Sequence, residues 1–258
     1  MPELPDVEAL AGRIRRRLRH RRIRAVALLD PALATRPPLD TLAGRRIRDV
    51  SRRGKYLLFS LSDGRTLVVH LRMTGDLRIA GPGSPPERHT RLVLHLERGR
   101  ELRFVDPRRL GVVYLVQGLD FQGIPGLRRM GPEPLSRDFT LRAFRQRLAR
   151  RTGRIKALLL DQGFVAGIGN LYGDEILFQS RIRPSRRAPT LSPEEVRTLH
   201  RKIRDVLRKA CEHGADLSRL RGWFLHGRAR GRCVRCRGAL LRVRIQGRYA
   251  HYCGRCQR

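Results

Sequence analysis

The chain is poor in acidic residues, in aromatic residues and in long apolar runs. Its 258 residues include only 23 Asp and Glu, and aromatic side chains make up 5% of it. It has no stretch of about 18 uncharged apolar residues, so the sequence predicts no transmembrane helix. The first residues, Met1-Pro2-Glu3-Leu4-Pro5, are acidic and rich in proline, unlike a secretory signal. We therefore expect a soluble, cytoplasmic protein with no membrane partner.

Positive charge is what the chain has in excess. Its 57 Lys and Arg give a formal net charge of +34 and a pI of about 11.8, which excludes most ordinary cytosolic metabolic enzymes. A field this positive repels its own compact state unless a polyanion screens it. Apolar residues make up 40% of the chain, enough for one or two cored domains. We therefore expect a globular protein that binds nucleic acid.

Lysine is rare among the basic residues. Only four of the 57 are lysines, namely Lys55, Lys156, Lys202 and Lys209. Genome composition explains a preference for arginine, and chance explains Lys202 and Lys209 on a solvated helix face. Lysine can lose its proton and arginine cannot, so retention of Lys55 and Lys156 points to sites that need a proton-exchanging group.

The spacing of apolar residues divides the chain into a strand-rich part and a helical part. An amphipathic helix is predicted from Pro5, and its apolar stripe is Val7, Leu10, Ile14 and Leu18. The period then changes to two, which predicts strands joined by tight turns at 23–26, 47–51, 56–61, 66–71, 92–96, 102–105 and 112–116. Beyond residue 134 the pattern is helical, and Ser192-Pro193-Glu194-Glu195 is a capping box that starts a long helix.

Four of the five cysteines form two Cys-x-x-Cys pairs near the C-terminus. Cys233, Cys236, Cys253 and Cys256 have the spacing of a four-cysteine zinc ribbon. So short a segment cannot bury enough apolar surface to fold alone, so we expect one structural Zn²⁺ to stabilise it. Two disulfides are the alternative, and the lack of a secretion signal and the odd Cys211 argue against them.

A glycine-rich turn lies between two apolar helices. Gly167-Ile168-Gly169-Asn170 predicts a helix, tight turns and a second helix. Glycines allow close backbone approach, Asn170 is a good N-cap, and free amides at a helix start attract anions. An ordinary glycine turn without a ligand is the alternative. In a chain of this charge, with Lys156 one helix earlier, the sequence favours a phosphate site.

The N-terminus carries a candidate nucleophile. Removal of Met1 would leave Pro2 with a free secondary amine, and an N-terminal amine with a pKa of about 7.7–8.0 is partly neutral near pH 7. Such an amine attacks an aldehyde-level carbon to form an iminium, and Glu3 can transfer protons beside it. The alternative is a helix-start motif, because proline and acidic residues favour the first turn.

Five motifs together resemble one family. They are PELPDVE at the N-terminus, Lys55 at a strand start, DPRRLG at 106–111, the run from Lys156 through LLLDQGFVAGIGNLYGDE, and the terminal CxxC and YCxxCQ. In this order and over nearly the whole chain, they are similar to the formamidopyrimidine-DNA glycosylase and endonuclease VIII family, on the formamidopyrimidine side.

The motifs and the apolar pattern together predict an α+β multidomain fold. An N-terminal antiparallel β-sandwich, flanked by an N-terminal helix, covers residues 1–130 and is the expected catalytic domain. A helical, helix-two-turn-helix DNA-binding domain covers 131–225. A C-terminal four-cysteine zinc ribbon, or finger, covers 226–258.

The resemblance implies a bifunctional DNA glycosylase and abasic-site lyase of base excision repair, acting on double-stranded DNA as a monomer. Pro2 would attack the deoxyribose C1′ of a flipped nucleotide and displace the base, and Glu3 would protonate the ring oxygen. Lys55 would support base loss and β-elimination, and Arg248, just beyond the hairpin turn of the finger, would support δ-elimination. The residues implied to fill the gap in the duplex or to contact its backbone are Met73, His89, Arg108, Leu110, Arg151, Lys156 and Asn170.

Three departures from the family pattern bear on the substrate. Leu110 stands in place of a wedge phenylalanine, Asp6 replaces a glutamate, and the stretch between Gly214 and Cys233 is shorter than the usual loop that closes over an oxidised purine. Formamidopyrimidines, oxidised pyrimidines and abasic sites are the expected substrates. Recognition of 8-oxoguanine depends on the shortened loop. Two alternatives stay open: an abasic-site lyase or narrow glycosylase without 8-oxoguanine activity, and a zinc-ribbon protein that binds damaged DNA without chemistry.

Overall fold

The computed structural model describes residues 1–225 and 231–258, which form two compact units. The N-terminal unit contains Met1–Pro2 and Asp6–Arg128, and the second unit contains Glu3–Pro5 and Arg129–Arg258. Among the described residues no helix is long and apolar enough to cross a membrane. Residues 226–230, at the start of the predicted zinc ribbon and within the shortened loop, lie outside the described residues.

Two four-stranded antiparallel sheets build the N-terminal unit, in the orders β1-β6-β7-β5 and β2-β3-β4-β8. Their strands are β1 (Ile23–Leu28), β2 (Ile47–Arg53), β3 (Tyr56–Leu61), β4 (Arg65–His70), β5 (Asp76–Ala80), β6 (Thr90–Leu96), β7 (Glu101–Val105) and β8 (Val112–Gln117). The helices α1 (Leu4–Leu18) and α2 (Pro125–Arg128) flank them. The antiparallel β-sandwich with an N-terminal helix is confirmed.

One apolar core fills the N-terminal unit. Val7, Leu10, Ile14 and Leu18 of α1 are buried in it together with inward residues of both sheets. The other face of α1 carries arginines in its last turn, where cations also complement the helix dipole. The amphipathic period of the sequence therefore fixes which face of α1 meets the sandwich.

Strand β5 is the strand of this unit that the apolar pattern does not predict. It lies at a sheet edge, pairs with β7 and has five residues, of which Leu77 points into the core. Asp76 and Arg78 bond to each other on the exposed side, with the carboxylate accepting from Arg78 Nε at 2.9 Å. So few inward residues give an alternation too short to recognise.

The second unit is helical, with a two-stranded ribbon at its C-terminal end. Its helices are α3 (Leu141–Ala149), α4 (Ile155–Leu160), α5 (Asn170–Gln179) and α6 (Pro193–Glu212), and its strands are β9 (Leu240–Ile245) and β10 (Arg248–Cys253). The capping box of α6 is confirmed, because Ser192 Oγ accepts from Glu195 N at 3.1 Å and Glu195 Oε2 accepts from Ser192 N at 2.8 Å. The Phe178 ring stacks on Phe224 at 4.6 Å, and both pack against Cys233 and Cys253.

Candidate active site and nucleic-acid interface

Glu3 is fixed at the N-terminus of α5. Its carboxylate accepts hydrogen bonds from the backbone N–H groups of Gly169 at 2.8 Å, Leu171 at 2.7 Å and Tyr172 at 3.2 Å. The side chain is buried, with 4% of the residue exposed. The start of a helix presents unpaired amides and a partial positive charge, which suit a carboxylate. Glu3, which directly follows Pro2 in the chain, is therefore held in one orientation, and its role in proton transfer stays a prediction.

The glycine turn makes room for the chain's own N-terminal segment. A Cβ added at Gly169 would lie 2.3 Å from Glu3 Cδ, and one at Gly167, where φ is +82°, would lie 2.6 Å from Leu4 Cβ. The N-cap of α5 is Gly169, and Asn170 is its first residue, which corrects the predicted Asn170 cap. The amides predicted to bind a phosphate are thus occupied by Glu3. The sequence analysis did not predict this, because no local signal shows which anion reaches a helix start. A contact of the Asn170 side chain with DNA stays a prediction.

Lys156 is buried under the same turn. Its ammonium donates to Asp174 Oδ1 at 2.6 Å and to the Asn170 carbonyl at 2.8 Å, and its side chain is 1% exposed. The other oxygen of Asp174 accepts from the backbone N–H of His251 in β10 at 3.2 Å. The predicted phosphate contact of Lys156 stays a prediction, and the structure gives this lysine a role in supporting the turn.

Arg248 is exposed at the start of β10, immediately after the hairpin turn. It shares a cleft of about 710 Å³ with Arg151 and Arg154, which lie just before α4 in the chain. The neighbouring Tyr249 carbonyl accepts a hydrogen bond from Asn170 Nδ2 at 3.0 Å. The structure therefore brings three predicted site residues of the second unit together, namely Arg151, Asn170 and Arg248, and the guanidinium groups of the cleft suit a phosphate backbone.

The four ribbon cysteines form one cluster. Their sulfur atoms all lie within 4.8 Å of one another, with Cys233 and Cys256 at 3.8 Å and Cys236 and Cys253 at 3.5 Å. A tetrahedral zinc ion with Zn–S bonds of about 2.3 Å places its sulfurs about 3.8 Å apart, whereas a disulfide needs about 2.05 Å. The cluster fits one Zn²⁺ with four thiolate ligands, which leaves no position for a reactive water. The predicted single structural zinc is confirmed, and the disulfide alternative is not.

Backbone amides support this metal site. Arg235 N donates to Cys233 Sγ and Cys256 N donates to Cys253 Sγ, each at 3.4 Å. Such hydrogen bonds orient the thiolates and spread their negative charge. The ligands are therefore fixed by the turns that carry them.

Glu175 is a buried acid of α5 that the sequence analysis did not single out. It accepts hydrogen bonds from Gln179 Nε2 at 2.8 Å and from the Leu225 backbone N–H at 3.2 Å. Burial raises the pKa of Glu175 to about 7, although these hydrogen bonds oppose the rise. The carboxyl therefore changes its protonation state near neutral pH.

Lys55 occupies the two-residue turn between β2 and β3. Arg53 pairs with Tyr56 across this turn, Gly54 adopts a φ of +58°, and Lys55 is 6% exposed. The His70 ring lies against Tyr56 with centroids 4.4 Å apart. Burial, aided by the charges of Arg72 and Lys55, lowers the pKa of His70 to about 4, so this imidazole is neutral at physiological pH. Pro2, in the same unit, is half-buried.

Asp106 ties two loops of the N-terminal unit together. Its Oδ1 accepts from Thr74 Oγ1 at 2.5 Å and from Arg108 N at 3.2 Å, and its Oδ2 accepts from Leu110 N at 2.8 Å and Gly111 N at 2.7 Å. Burial raises the pKa of Asp106, but these hydrogen bonds outweigh burial and hold it below its usual range.

The three predicted gap-filling residues lie on these two loops. Met73 precedes Thr74 and is 47% exposed, and Leu110 is 39% exposed beside the exposed Arg108. Exposed apolar side chains on hydrogen-bonded loops are suited to entering a base stack. His89 is half-buried, and its carbonyl accepts from Asp106 N at 2.9 Å. The same aspartate therefore also holds the predicted backbone contact.

A second acidic residue anchors the Arg108–Leu110 loop from outside. Arg109 donates from Nε and Nη2 to both oxygens of Asp30, at 2.7 and 2.6 Å. The hydrogen bond from Arg109 holds the pKa of Asp30 below its usual range. The sequence analysis predicted no role for Asp30 or Arg109.

The role of Asp106 could have been predicted from the Asp106-Pro107 pair, because an aspartate before a turn often accepts a hydrogen bond from the amide two residues later.

Comparison with known proteins places the chain among characterised sequences. Three family models match it: the formamidopyrimidine-DNA glycosylase N-terminal domain over residues 1–113, the formamidopyrimidine-DNA glycosylase H2TH domain over 130–221, and a zinc finger found in FPG and IleRS over 231–258. The formamidopyrimidine-DNA glycosylase of Pelotomaculum thermopropionicum is 39% identical over 277 residues, covering 100% of this chain and 99% of the relative. That of Thermus thermophilus is 42% identical over 271 residues, covering 100% and 98%.

Solved structures are similar over the same length. The Lactococcus lactis formamidopyrimidine-DNA glycosylase, bound non-covalently to DNA containing an AP site, superposes with a TM-score of 0.90 at 32% identity and covers 99% of both chains. The Thermus thermophilus structure gives a TM-score of 0.85 at 41% identity, covering 99% of this chain and 98% of that one.

Proposed function

Because the chain belongs to the formamidopyrimidine-DNA glycosylase family, as its domains and full-length relatives show, we propose that it is a bifunctional DNA glycosylase and abasic-site lyase of base excision repair. Its partner is double-stranded DNA that contains a damaged base or an abasic site, and it acts as a monomer. The observation that carries the proposal is the carboxylate of Glu3, the residue after Pro2, which is fixed by the amides of the N-cap Gly169 and of two residues of α5.

Pro2 supplies the nucleophile once Met1 is removed. Its amine attacks C1′, the C1′–N bond to the damaged base breaks, and an iminium joins protein and sugar. Glu3 gives a proton to the ring oxygen as the sugar opens. Lys55 exchanges protons during base loss and β-elimination, and Arg248 supports δ-elimination. The product is a one-nucleotide gap with phosphate at both ends.

The exposed loops supply recognition of the duplex. Met73, Arg108 and Leu110 enter the space left by the flipped nucleotide, and His89, Arg151, Lys156 and Asn170 interact with the backbone or support the elements that do. Zinc supplies structural stability when bound to its four cysteines. A duplex-binding protein of this charge is expected to associate with the bacterial nucleoid in the cytoplasm.

Ring-opened purines and oxidised pyrimidines are the proposed base substrates. The Lactococcus lactis relative has been solved with DNA that contains an oxidised pyrimidine, and a mutant of it with DNA that contains Fapy-dG. Removal of 8-oxoguanine stays a prediction, since it depends on the segment between Gly214 and Cys233.

Substitution of Pro2 tests the proposal. Borohydride reduces the iminium to a stable amine, so wild-type protein with a free Pro2 should become covalently attached to an abasic duplex. Pro2→Glu, which retains Met1 and so moves the free amine one residue away, should lose this trapping and keep its affinity for the duplex. Pro5→Ala is a matched control, because Pro5 is buried in the first turn of α1 and carries no free amine. Equal trapping by Pro2→Glu and wild type would remove Pro2 as the nucleophile.

A further inference from the structure

A ring of hydrogen bonds joins α4, α5 and β10. The Lys156 ammonium bonds to the Asn170 carbonyl and to Asp174, Asp174 accepts from the His251 N–H, and Asn170 Nδ2 returns to the Tyr249 carbonyl. The side chains of Lys156 and Asp174 are 1% and 0% exposed, so water does not compete for the bond between them. All five residues lie in the second unit. The ring therefore fixes the ribbon hairpin against the start of α5.

This ring holds the two reactive groups of the second unit at once. The start of α5 binds the carboxylate of Glu3, and Asp174 lies in the following turn of that helix. Arg248 directly precedes Tyr249 in β10. Any shift of β10 along α5 therefore moves Arg248 relative to Glu3.

We propose that Asp174 is a positioning residue for the second elimination, because it holds the hairpin so that Arg248 keeps its place relative to Glu3 at the start of α5. The inference rests on the proposed function, because the role of Arg248 does. β-Elimination removes a proton from C2′ and breaks the C3′–O bond. δ-Elimination removes a proton from C4′ and breaks the C5′–O bond, releasing the second phosphate. Arg248 acts in the second step, so its misplacement should slow δ-elimination more than β-elimination.

The chemistry of the site requires a carboxylate at residue 174. Two donors, the Lys156 ammonium and the His251 N–H, point at its two oxygens. In Asp174→Asn the amide offers one acceptor oxygen, and its NH₂ group faces one of those donors. This variant also removes the negative charge that lies 2.6 Å from the buried ammonium of Lys156, which destabilises the fold.

A second variant separates these two effects. His251→Pro removes the N–H that bonds to Asp174, together with the imidazole whose Nδ1 lies 3.6 Å from Asp174 Oδ2, and leaves the ion pair with Lys156 in place. Strand β10 pairs with β9 in a two-stranded sheet and this N–H bonds to Asp174 instead of to β9, so proline removes no hydrogen bond between the strands. Asp205→Asn is the matched control, because Asp205 is a half-exposed acid of α6 that pairs with Lys202 far along the chain from the ribbon.

The experiment measures both elimination products on an end-labelled abasic duplex, together with the borohydride-trapping rate and the zinc content. Asp174→Asn and His251→Pro should each lower the ratio of δ-product to β-product by about tenfold or more, with trapping within about twofold of wild type, since a small misplacement of a catalytic group slows mainly the step it serves. Asp205→Asn should match wild type in every measurement.

Two outcomes would overturn the inference. An unchanged product ratio in both variants would show that Asp174 does not place Arg248. A parallel fall of trapping and of both products, or loss of zinc, would show that Asp174 supports the fold alone. Absence of trapping in the wild type would instead refute the proposed function, so the two failures are distinguishable.

Discussion

Replacement of Asp106 by asparagine should loosen both loops that carry the gap-filling residues. The carboxylate accepts four hydrogen bonds, of which three come from backbone amides that cannot change into acceptors. The asparagine NH₂ is a donor, so the favoured orientation of the amide places the NH₂ at the position of Oδ1. There the Thr74 hydroxyl can accept a hydrogen bond instead of donating one. The bond from Arg108 N is then lost, and those from Leu110 and Gly111 weaken without the negative charge.

The expected cost follows from this count. One lost bond to a charged acceptor costs about 1.5 kcal/mol, and weakening of two more brings the total to about 2–3 kcal/mol. Asp76→Asn is the control, because Asp76 is 42% exposed and pairs with Arg78 on the surface. Loss of that pair should cost about 0.5 kcal/mol.

Hydrogen exchange read by mass spectrometry is the appropriate assay. The single tryptophan, Trp223, lies in the second unit, so its fluorescence does not report on the unit that contains Asp106. Peptides from β4, β7 and β8 should exchange faster in Asp106→Asn by the factor that corresponds to the lost free energy. Because Asp106 ionises below its usual pKa in the folded state, its contribution is present above the unfolded value and is lost as pH falls through the folded value.

Activity should separate by substrate. Removal of a damaged base from a duplex, which needs Met73, Arg108 and Leu110 in place, should fall about tenfold in Asp106→Asn. Trapping on a single-stranded abasic oligonucleotide, which needs no gap filling, should stay at the wild-type rate. Exchange and base removal that both match the Asp76→Asn control would refute the role given to Asp106.

Three other predictions follow from the same geometry. Burial raises the pKa of Glu175 to about 7 in the folded protein, so the free energy of unfolding of the second unit should fall by up to roughly 3 kcal/mol as pH rises from the unfolded pKa through 7. Denaturant unfolding followed by Trp223 fluorescence should show this fall in wild type but not in Glu175→Gln. Zinc chelation should remove protection against hydrogen exchange from residues 231–258 and weaken duplex binding, while the N-terminal unit stays protected. Unchanged duplex binding by the zinc-free protein would contradict a structural zinc. Affinity for duplex should fall with salt at a log–log slope of about −0.9 per phosphate contact, and a flat dependence would contradict the electrostatic account.

Features encoded by local spacing could be predicted from the sequence. The zinc ligands need two Cys-x-x-Cys pairs, and the α6 cap needs Ser192 three residues before Glu195, so both are visible in short windows. The strands of the sandwich core were predicted to within a few residues, because their inward residues alternate. The charged edge strand β5 was not, because tertiary pairing with β7 determines it.

Features that depend on contacts distant in sequence could not be predicted. Glu3 and Gly169 are 166 residues apart, so the glycine turn was interpreted as a phosphate site when it receives the chain's own carboxylate. Asp174 holds His251 across 77 residues, and Arg109 holds Asp30 across 79. In each pair the residue types are ordinary, and only the fold brings donor and acceptor together.

Borohydride trapping by untagged wild-type protein tests the central claim most directly. Four labelled duplexes are needed: 8-oxoguanine opposite cytosine, a formamidopyrimidine, a dihydropyrimidine and an abasic site. The account predicts a covalent complex and δ-eliminated product with the formamidopyrimidine, the dihydropyrimidine and the abasic duplex. Trapping on the abasic duplex alone would identify a lyase without base removal. No trapping on any duplex would contradict the account and favour a protein that binds damaged DNA without chemistry.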